Sequence, residues 1–185
     1  LYLLQCLLVP KYASDIKEGA MIKEYYNSEK NHDVLILGDC EVYENISTVT
    51  MWENYGISSY IRGSAEQLIW QSYYLLEDTL KYEKPQVVIL NVLAMTESDA
   101  KNEAYNRMTL DGMKLSKYKI ASIRESMTEE ENMASYIFPL LRYHSRWSEL
   151  SSEDFRYMWK TPSVTTNGYL MQKGVRPVKT IPKAA

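Results

Sequence analysis

Three short apolar runs in the first half of the chain predict buried β-strands. They cover Asp33 to Leu37, Ile57 to Ile61 and Gln86 to Leu93. An unbroken apolar run of this length is typical of a strand that is covered on both faces, as in a parallel sheet. Between the second and third runs, from Ser64 to Tyr82, the periodicity becomes helical. The order strand, strand, helix, strand predicts an α/β fold with a mainly parallel sheet.

The helix after the second run has signals at both ends. We expect Ser64 to cap its start, with Gln67 completing a capping box, and Pro85 to end it. The rest of the chain predicts further helices and one turn. They are a short helix at 14–28, helices at 116–126 and 129–145 (the latter capped by Thr128), a helical turn from Ser151 or Ser152 to about Lys160, and a turn or hairpin at Asn167-Gly168.

These elements predict a single α/β domain at 1–173, either whole or partial, with a helical insertion at about 114–160. Residues 174–185 lack apolar periodicity and contain prolines, so we interpret them as a linker or a truncated tail. Three strands are few for a doubly wound sheet, and we expect the domain to be incomplete at its C-terminus. The opening run Leu1 to Val9 is either a buried strand or short helix, or the remnant of a longer segment.

Composition narrows the classes of function. The 21 Lys and Arg against 24 Asp and Glu give a net charge of -3, which argues against a nucleic-acid surface or a polybasic membrane patch. No apolar run approaches the roughly 18–20 residues of a membrane-spanning helix. Two cysteines without a CxxC motif predict no metal site, and the absence of a glycine-rich phosphate loop predicts no cofactor. The 16 tyrosines suit grooves and interfaces, which leaves a homo-oligomer open.

Small or polar residues follow each predicted strand, where ligands bind in open parallel sheets. Gly38, Asp39 and Cys40 follow the first strand, Gly63 follows the second, and Asn91 lies in the third. A buried amide must find hydrogen-bond partners or it costs about 1–3 kcal/mol. We therefore expect Cys40, Gly63 and Asn91 to share one pocket, and Asp39 to bind backbone N–H groups of its own turn.

The same residues resemble the SGNH/GDSL hydrolase superfamily over about residues 30–95. The segment Val34 to Cys40 resembles the first block of that family, with cysteine in place of the motif serine. Gly63 matches the glycine of the second block, and Asn91 the asparagine of the third. The resemblance is to the branch that assists acylation of cell-envelope polymers. It implies a three-layer α/β/α domain of the SGNH or flavodoxin-like type, an extracytoplasmic or envelope location, and an acyl-ester or carbohydrate substrate.

The resemblance also implies a mechanism of ester hydrolysis or acyl transfer. Cys40 would attack the acyl carbonyl, and the backbone N–H groups of Cys40 and Gly63 with the side-chain amide of Asn91 would bind the oxyanion. A helix that begins at Cys40 would lower the pKa of the thiol. The alternative for Cys40 is an inert, small buried residue.

The family's Asp-x-x-His pair is absent from the chain, whose only histidines are His32 and His144. His32 precedes the first strand and so belongs to the opposite end of the sheet. His144 is either a supporting base or a polar histidine packed beside aromatic rings. We expect the missing pair to lie downstream of Ala185.

Three functions follow from these observations. The first is an SGNH-like esterase or acyltransferase, which acts on acyl esters of a cell-envelope polysaccharide in the narrower form of this hypothesis. The second is a catalytically inactive SGNH-like domain that binds a glycan or a protein, and the third is an interaction domain with a tyrosine-rich oligomer interface. Six aromatic residues either line a carbohydrate groove or belong to the core: Trp52, Tyr55, Tyr60, Trp70, Tyr73 and Tyr74.

Overall fold

The computed structural model describes residues 1–95 and 102–171, so the predicted linker at 174–185 lies outside the described residues. The protein has a mixed α/β fold, which confirms the predicted fold class. Its strands are β1 (Val34–Gly38), β2 (Ser59–Gly63) and β3 (Val87–Leu90). Its helices are α1 (Tyr2–Leu8), α2 (Glu18–Glu24), α3 (Cys40–Asn45), α4 (Thr48–Tyr55), α5 (Ile69–Thr79), α6 (Glu103–Leu110), α7 (Lys117–Ser126), α8 (Met133–Ile137), α9 (Leu140–Tyr143) and α10 (Ser152–Arg156).

The three strands form one parallel sheet in the order β2-β1-β3. Ile36 of β1 is in register with Ile61 of β2 and with Ile89 of β3. Parallel neighbours need crossover connections, which α3 and α4 provide between β1 and β2, and α5 provides between β2 and β3. The carboxyl ends of all three strands therefore lie at one edge of the sheet.

Alternating side chains of β1 divide the core into two clusters. Leu35 and Leu37 pack with Leu75 of α5 and Ile123 of α7. Ile36, which points to the opposite face, packs with Val42 of α3 in the second cluster. Because successive side chains of a strand point to opposite faces, the α5 layer and the α3 layer cover different faces of the sheet. This arrangement corresponds to an incomplete α/β/α domain.

The outer edge of β2 is covered by the predicted turn at Asn167-Gly168. Both turn residues have positive φ, 48° and 81°, and Thr166 and Tyr169 form an antiparallel bridge across the turn. The backbone N–H of Ile61 donates to the Asn167 carbonyl at 3.0 Å. A Cβ at position 168 would lie 2.0 Å from the Ile61 carbonyl oxygen, so the close approach requires glycine.

The other edge strand, β3, is apolar but only partly covered, so the prediction of a strand buried on both faces is wrong here. It also ends at Leu90 rather than at the predicted Leu93, so Asn91 follows the strand. Its four side chains, from Val87 to Leu90, are between 41% and 51% exposed. The alternating side chains of a strand point to opposite faces, so both faces of β3 are accessible. Among the described residues, no strand pairs with its outer side.

The helix after β2 begins and ends inside its predicted range. It starts at Ile69 rather than after Ser64, because the Ser64 hydroxyl bonds to Thr109 instead of capping a helix. The side chain of Gln71 accepts a hydrogen bond from the Leu68 N–H at 3.1 Å at the true start. The helix ends at Thr79, well before Pro85, which therefore does not terminate it.

The predicted helix at 129–145 is also wrong as a continuous element. It is replaced by α8 and α9, separated at Pro139, because a residue that precedes proline is disfavoured in the helical region. Asn132, not Thr128, caps α8 by accepting a hydrogen bond from the Ala134 N–H at 2.8 Å. Two neighbouring predictions are confirmed: the helix predicted at 116–126 is α7, and the helical turn predicted from Ser151 or Ser152 is α10, although it ends at Arg156 rather than about Lys160.

The remaining helices complete the comparison with the sequence. The opening run forms the short helix α1, and the segment predicted at 14–28 contains α2 followed by a 3₁₀ turn at Tyr25–Asn27. The helices α4 and α6 are not predicted by the periodicity. Within the described ranges, no helix has the length and apolar character needed to cross a membrane.

Candidate functional site

The three predicted site segments meet at the carboxyl edge of the sheet. Gly38 ends β1 and is in register with Gly63, which ends β2. On the other side of β1, the backbone N–H of Asn91 donates to the Leu37 carbonyl at 2.9 Å, immediately after β3. Cys40 begins α3 two residues after Gly38. The fold thus places Cys40, Gly63 and Asn91 at the same edge.

Both glycines at this edge are required by the packing. A Cβ at position 63 would lie 2.9 Å from the Gly38 carbonyl oxygen and 3.0 Å from the side chain of Val42. A Cβ at position 38 would lie 2.6 Å from the Cβ of Asn91. Any larger residue would separate the strand ends, so the two glycines allow the backbone of three strands to converge.

Asp39 ties this edge together. Its Oδ1 accepts hydrogen bonds from the Glu41 backbone N–H at 3.0 Å and from Nδ2 of Asn91 at 3.1 Å. The first bond caps α3, the role in its own turn that the sequence predicts for Asp39. The second bond joins the end of β3 to the turn before Cys40. Asn91 is held at its other end too, because its Oδ1 accepts from the Leu93 N–H at 2.8 Å.

The thiol of Cys40 is partly buried, and its environment opposes ionisation. Burial raises the pKa of the Cys40 thiol, and the carboxylates of Asp39, Glu44 and Glu41 raise it further, while its own backbone N–H acts in the opposite direction. The lowering expected from the helix N-terminus is therefore outweighed, and the prediction of a lowered thiol pKa is wrong. A helix of six residues with acidic side chains in and around its first turn cannot offset burial.

Neither histidine of the chain lies among the groups that surround Cys40. His32 is buried at the opposite end of β1, where its Nδ1 lies 2.8 Å from Oε2 of Glu83. His144 follows α9, which packs against α1 and α8. Its ring is exposed, and Nδ1 lies 3.0 Å from the Leu141 carbonyl of the same helical turn. The described residues therefore provide no imidazole base for the thiol.

The aromatic residues considered for a carbohydrate groove do not form one. Trp52 and Tyr55 are exposed on α4, on the face of the sheet that α3 covers, whereas Tyr73 is exposed on α5 across the sheet. Tyr60 is buried and packs edge-to-face against Tyr25 at a ring-centroid distance of 5.1 Å. Of the two alternatives, the structure contradicts a single aromatic groove, because α4 and α5 cover opposite faces of the sheet. The core alternative holds for Tyr60 but not for the exposed Trp52, Tyr55 and Tyr73.

A buried arginine next to Gly63 is a structural determinant that the sequence reasoning missed. Arg62 is fully buried. Its Nη1 donates to Oγ1 of Thr79 at 2.8 Å. The same Nη1 lies 3.3 Å from Oδ2 of Asp78, whose side chain is also fully buried. Its guanidinium lies 4.2 Å from the centroid of the Tyr25 ring. The charge at the penultimate position of a buried strand was the available signal, since it requires a buried partner.

The network of Arg62 anchors the end of β2 to α5. Asp78 receives two further donors, Nζ of Lys81 at 2.8 Å and the hydroxyl of Tyr26 at 2.6 Å. Burial raises the pKa of Asp78, but these donors and Arg62 outweigh it and leave the pKa below its usual value. The carboxylate of Asp78 therefore stays ionised, and its ion pair with Arg62 fixes the residue that precedes Gly63.

The described residues contain no group of three or more His, Cys, Asp and Glu side chains arranged to hold a metal ion.

Comparisons of the chain with protein-family models, curated proteins and solved structures return no match. The chemistry of this edge is therefore argued from its own residues: a thiol, two closely packed glycines and an amide, on a scaffold fixed by Asp39 and Arg62.

Proposed function

We propose that the protein is an SGNH-like hydrolase or acyltransferase that acts on acyl esters at Cys40. The observation that carries the proposal is the 3.1 Å bond between Asn91 and Asp39, which joins the end of β3 to the turn that presents the thiol. The close contact between Gly38 and Gly63, both buried, supports it, because it brings together the strand ends next to Cys40 and Asn91.

In the proposed reaction, the Cys40 thiolate attacks the acyl carbonyl carbon and forms a C–S bond. The ester C–O bond then breaks, and the alcohol leaves with a proton. Water or an acceptor hydroxyl attacks the resulting thioester, which releases the acyl product and restores the thiol. The oxyanion is met by the backbone N–H groups of Cys40 and Gly63 and by the amide N–H of Asn91 that does not bind Asp39. Loss of one such donor costs about 2.7–4 kcal/mol of barrier.

The substrate in this proposal is an acyl ester of a cell-envelope polysaccharide, met outside the cytoplasm. This part rests on the resemblance of residues 30–95 to the envelope branch of the superfamily. Because burial and three nearby carboxylates raise the pKa of the Cys40 thiol, the rate should increase with pH through the alkaline range.

Hydrolysis of p-nitrophenyl acetate by the 185-residue chain tests the proposal, with mass spectrometry to detect the acyl adduct. We expect an acetyl thioester on Cys40 and loss of turnover in Cys40→Ala. Cys6→Ala is the matched control, because Cys6 is the chain's other free cysteine and belongs to α1. Turnover that survives Cys40→Ala, or an adduct on Cys6 alone, would refute the assignment of the nucleophile.

The second candidate function is a catalytically inactive SGNH-like domain that binds a glycan or a protein. The raised pKa of the Cys40 thiol favours it, since little thiolate is present at neutral pH. Binding of an acetylated polysaccharide that is unchanged by Cys40→Ala, without turnover, would select this candidate. The third hypothesis, an interaction domain, would use an oligomer interface of exposed tyrosines such as Tyr55 and Tyr73. Sedimentation at high concentration tests it, and monomeric behaviour would count against it.

A further inference from the structure

A cavity lies away from the sheet edge, between the N-terminal helices and the segment that joins α6 to α7. Its volume is about 310 Å³, within the range of small-molecule sites. It is bordered by α1, α2, residues 111–113, α7 and residues 157–162. It shares no lining residue with the site at Cys40, Gly63 and Asn91, so whatever it binds is independent of the proposed acyl chemistry.

The lining of this cavity is strongly cationic, although the chain as a whole has a net charge of -3. Lys11, Lys23, Lys119 and Lys160 line it, against Asp111 as the one acidic residue of the lining. Basic residues are thus concentrated at one concave surface of an acidic protein. Such a concentration attracts anions, because charges of one sign that line a cleft add to the same field.

In the part of the chain that the structure describes, three of these four lysines have no carboxylate in ion-pair contact. Within residues 1–95 and 102–171, no carboxylate lies within 4.0 Å of the amines of Lys23, Lys119 or Lys160. Lys119 instead donates to the Met113 carbonyl at 3.1 Å. Lys11 lies 3.8 Å from Asp154, a carboxylate shared with the closer cation Arg146 at 3.4 Å. Its Nζ also donates to the carbonyls of Leu7, at 3.2 Å, and of Val9.

The acidic residue of the lining, Asp111, already interacts with residues outside the lining. Asp111 accepts a hydrogen bond from the Tyr143 hydroxyl at 2.8 Å and lies 3.4 Å from Nη1 of Arg107. The lysines also repel one another. Burial lowers the pKa of Lys11 to about 8 and lowers that of Lys119. The carboxylates of Asp154 and Asp111 act in the opposite direction, whereas nearby arginines and Lys23 add to the lowering. A bound anion would relieve this repulsion.

We propose that this cavity binds a small organic anion, with a carboxylate or phosphate group held by Lys11, Lys23, Lys119 and Lys160 and an aromatic or aliphatic body packed against the tyrosines of the lining. Tyr12 and Tyr136 are examples of these tyrosines, and Met113 adds an apolar surface. Tyrosine supplies both a ring for the body of the ligand and a hydroxyl that tolerates its polar end.

Pyridoxal 5′-phosphate is a suitable probe, because it combines an aromatic ring, a phosphate and an aldehyde. An unprotonated lysine amine adds to the aldehyde, water leaves and a C=N bond forms. Borohydride then delivers hydride to that bond, and the product is a stable secondary amine that peptide mass spectrometry can map. Pyridoxal, which lacks the phosphate, is the neutral control for non-specific reaction with amines.

We expect labelling to concentrate on the cavity lysines, at least tenfold above exposed Lys84 and at least tenfold above labelling by pyridoxal. Inorganic phosphate and benzoate are each added as competitors of this labelling. Whichever suppresses the labelling more strongly distinguishes a phosphate ligand from a carboxylate ligand. Labelling of Lys84 at the same rate, or equal labelling by pyridoxal, would overturn the proposal.

A variant pair tests the same site without disturbing the fold. Lys23 and Lys160 are exposed at the rim, so Lys23→Gln with Lys160→Gln should fold normally, which an unfolding curve checks. We expect this double variant to weaken competition by the preferred anion roughly three- to tenfold. Lys84→Gln is the matched control and should leave it unchanged. Equal competition in the double variant and the control would refute the role of the lysines.

Discussion

The buried pair of Arg62 and Asp78 gives the sharpest prediction about stability, because only one of the two substitutions leaves a buried charge without a partner. If Arg62 is replaced by methionine, Asp78 keeps Lys81 at 2.8 Å and the Tyr26 hydroxyl at 2.6 Å. If Asp78 is replaced by asparagine, the guanidinium stays fully buried without the carboxylate at 3.3 Å. The second change therefore leaves an uncompensated charge in the interior.

The expected costs follow from this difference. Asp78→Asn should lower the free energy of unfolding by about 3–5 kcal/mol, the range for breaking a buried ion pair. Arg62→Met should cost about 1–2 kcal/mol, because it removes hydrogen bonds to Thr79 and the Leu75 carbonyl but strands no charge. Lys81→Gln, at a partly exposed partner, should cost less than about 1 kcal/mol.

Urea unfolding followed by circular dichroism at pH 7 measures all three variants. The pH dependence adds a second check: the folded pKa of Asp78 lies below its usual value, so its contribution is present above about pH 4 and is lost as the pH falls through the folded pKa. The gap between wild type and Asp78→Asn should narrow accordingly. A cost for Asp78→Asn below that of Arg62→Met would refute the reasoning.

Three further predictions concern the sheet edge. Gly63→Ala should destabilise the protein by about 1–3 kcal/mol in urea unfolding, because its Cβ would lie 2.9 Å from the Gly38 carbonyl oxygen. The control is Gly56→Asn, which should be tolerated because nothing lies within 4 Å of a Cβ at that position. Iodoacetamide alkylation of Cys40 should have a midpoint above about pH 8.5, because burial raises the thiol pKa, and a midpoint below that contradicts the described environment. Asp39→Ala should cost about 1 kcal/mol through the lost cap, whereas Asp39→Asn should remain near wild type by thermal melting.

The presence and parallel pairing of the strands could be predicted from the sequence because β1 and β3 are apolar throughout, although β3 ends at Leu90, three residues before its predicted end. The bounds of β2 could not, since it ends in Arg62 and Gly63 and begins at Ser59, two residues later than its predicted start. Arg62 is acceptable inside the strand only because Asp78 lies opposite it in the fold. That compensation depends on tertiary contact, which apolar periodicity does not report.

The helices that the periodicity missed are marked by their caps instead. The helix α4 starts after Ser47, whose Oγ accepts from the Thr50 N–H at 3.1 Å, and ends before Gly56, with φ of 66°. Its β-branched residues weaken any helical signal. The helix α6 is likewise capped by Asn102, which accepts from the Ala104 N–H at 2.9 Å.

The location of the candidate site could be predicted, but its electrostatics could not. Parallel strands bring Gly38, Gly63 and Asn91 to one edge by topology alone. The raised pKa of Cys40 depends instead on how deeply α3 packs and where its carboxylates lie, which are tertiary properties. The cationic cavity is harder still to foresee, because its lysines are spread from Lys11 to Lys160 along the chain.

The two borders of the sheet differ, and the difference limits how molecules of this protein can join. The loop at Asn167-Gly168 occupies the side of β2 through its bond to Ile61, whereas β3 has an accessible side among the described residues. A second copy that paired edge to edge through β3 would occupy the accessible side of both sheets. The loop at Ile61 would then leave no equivalent place for a third copy.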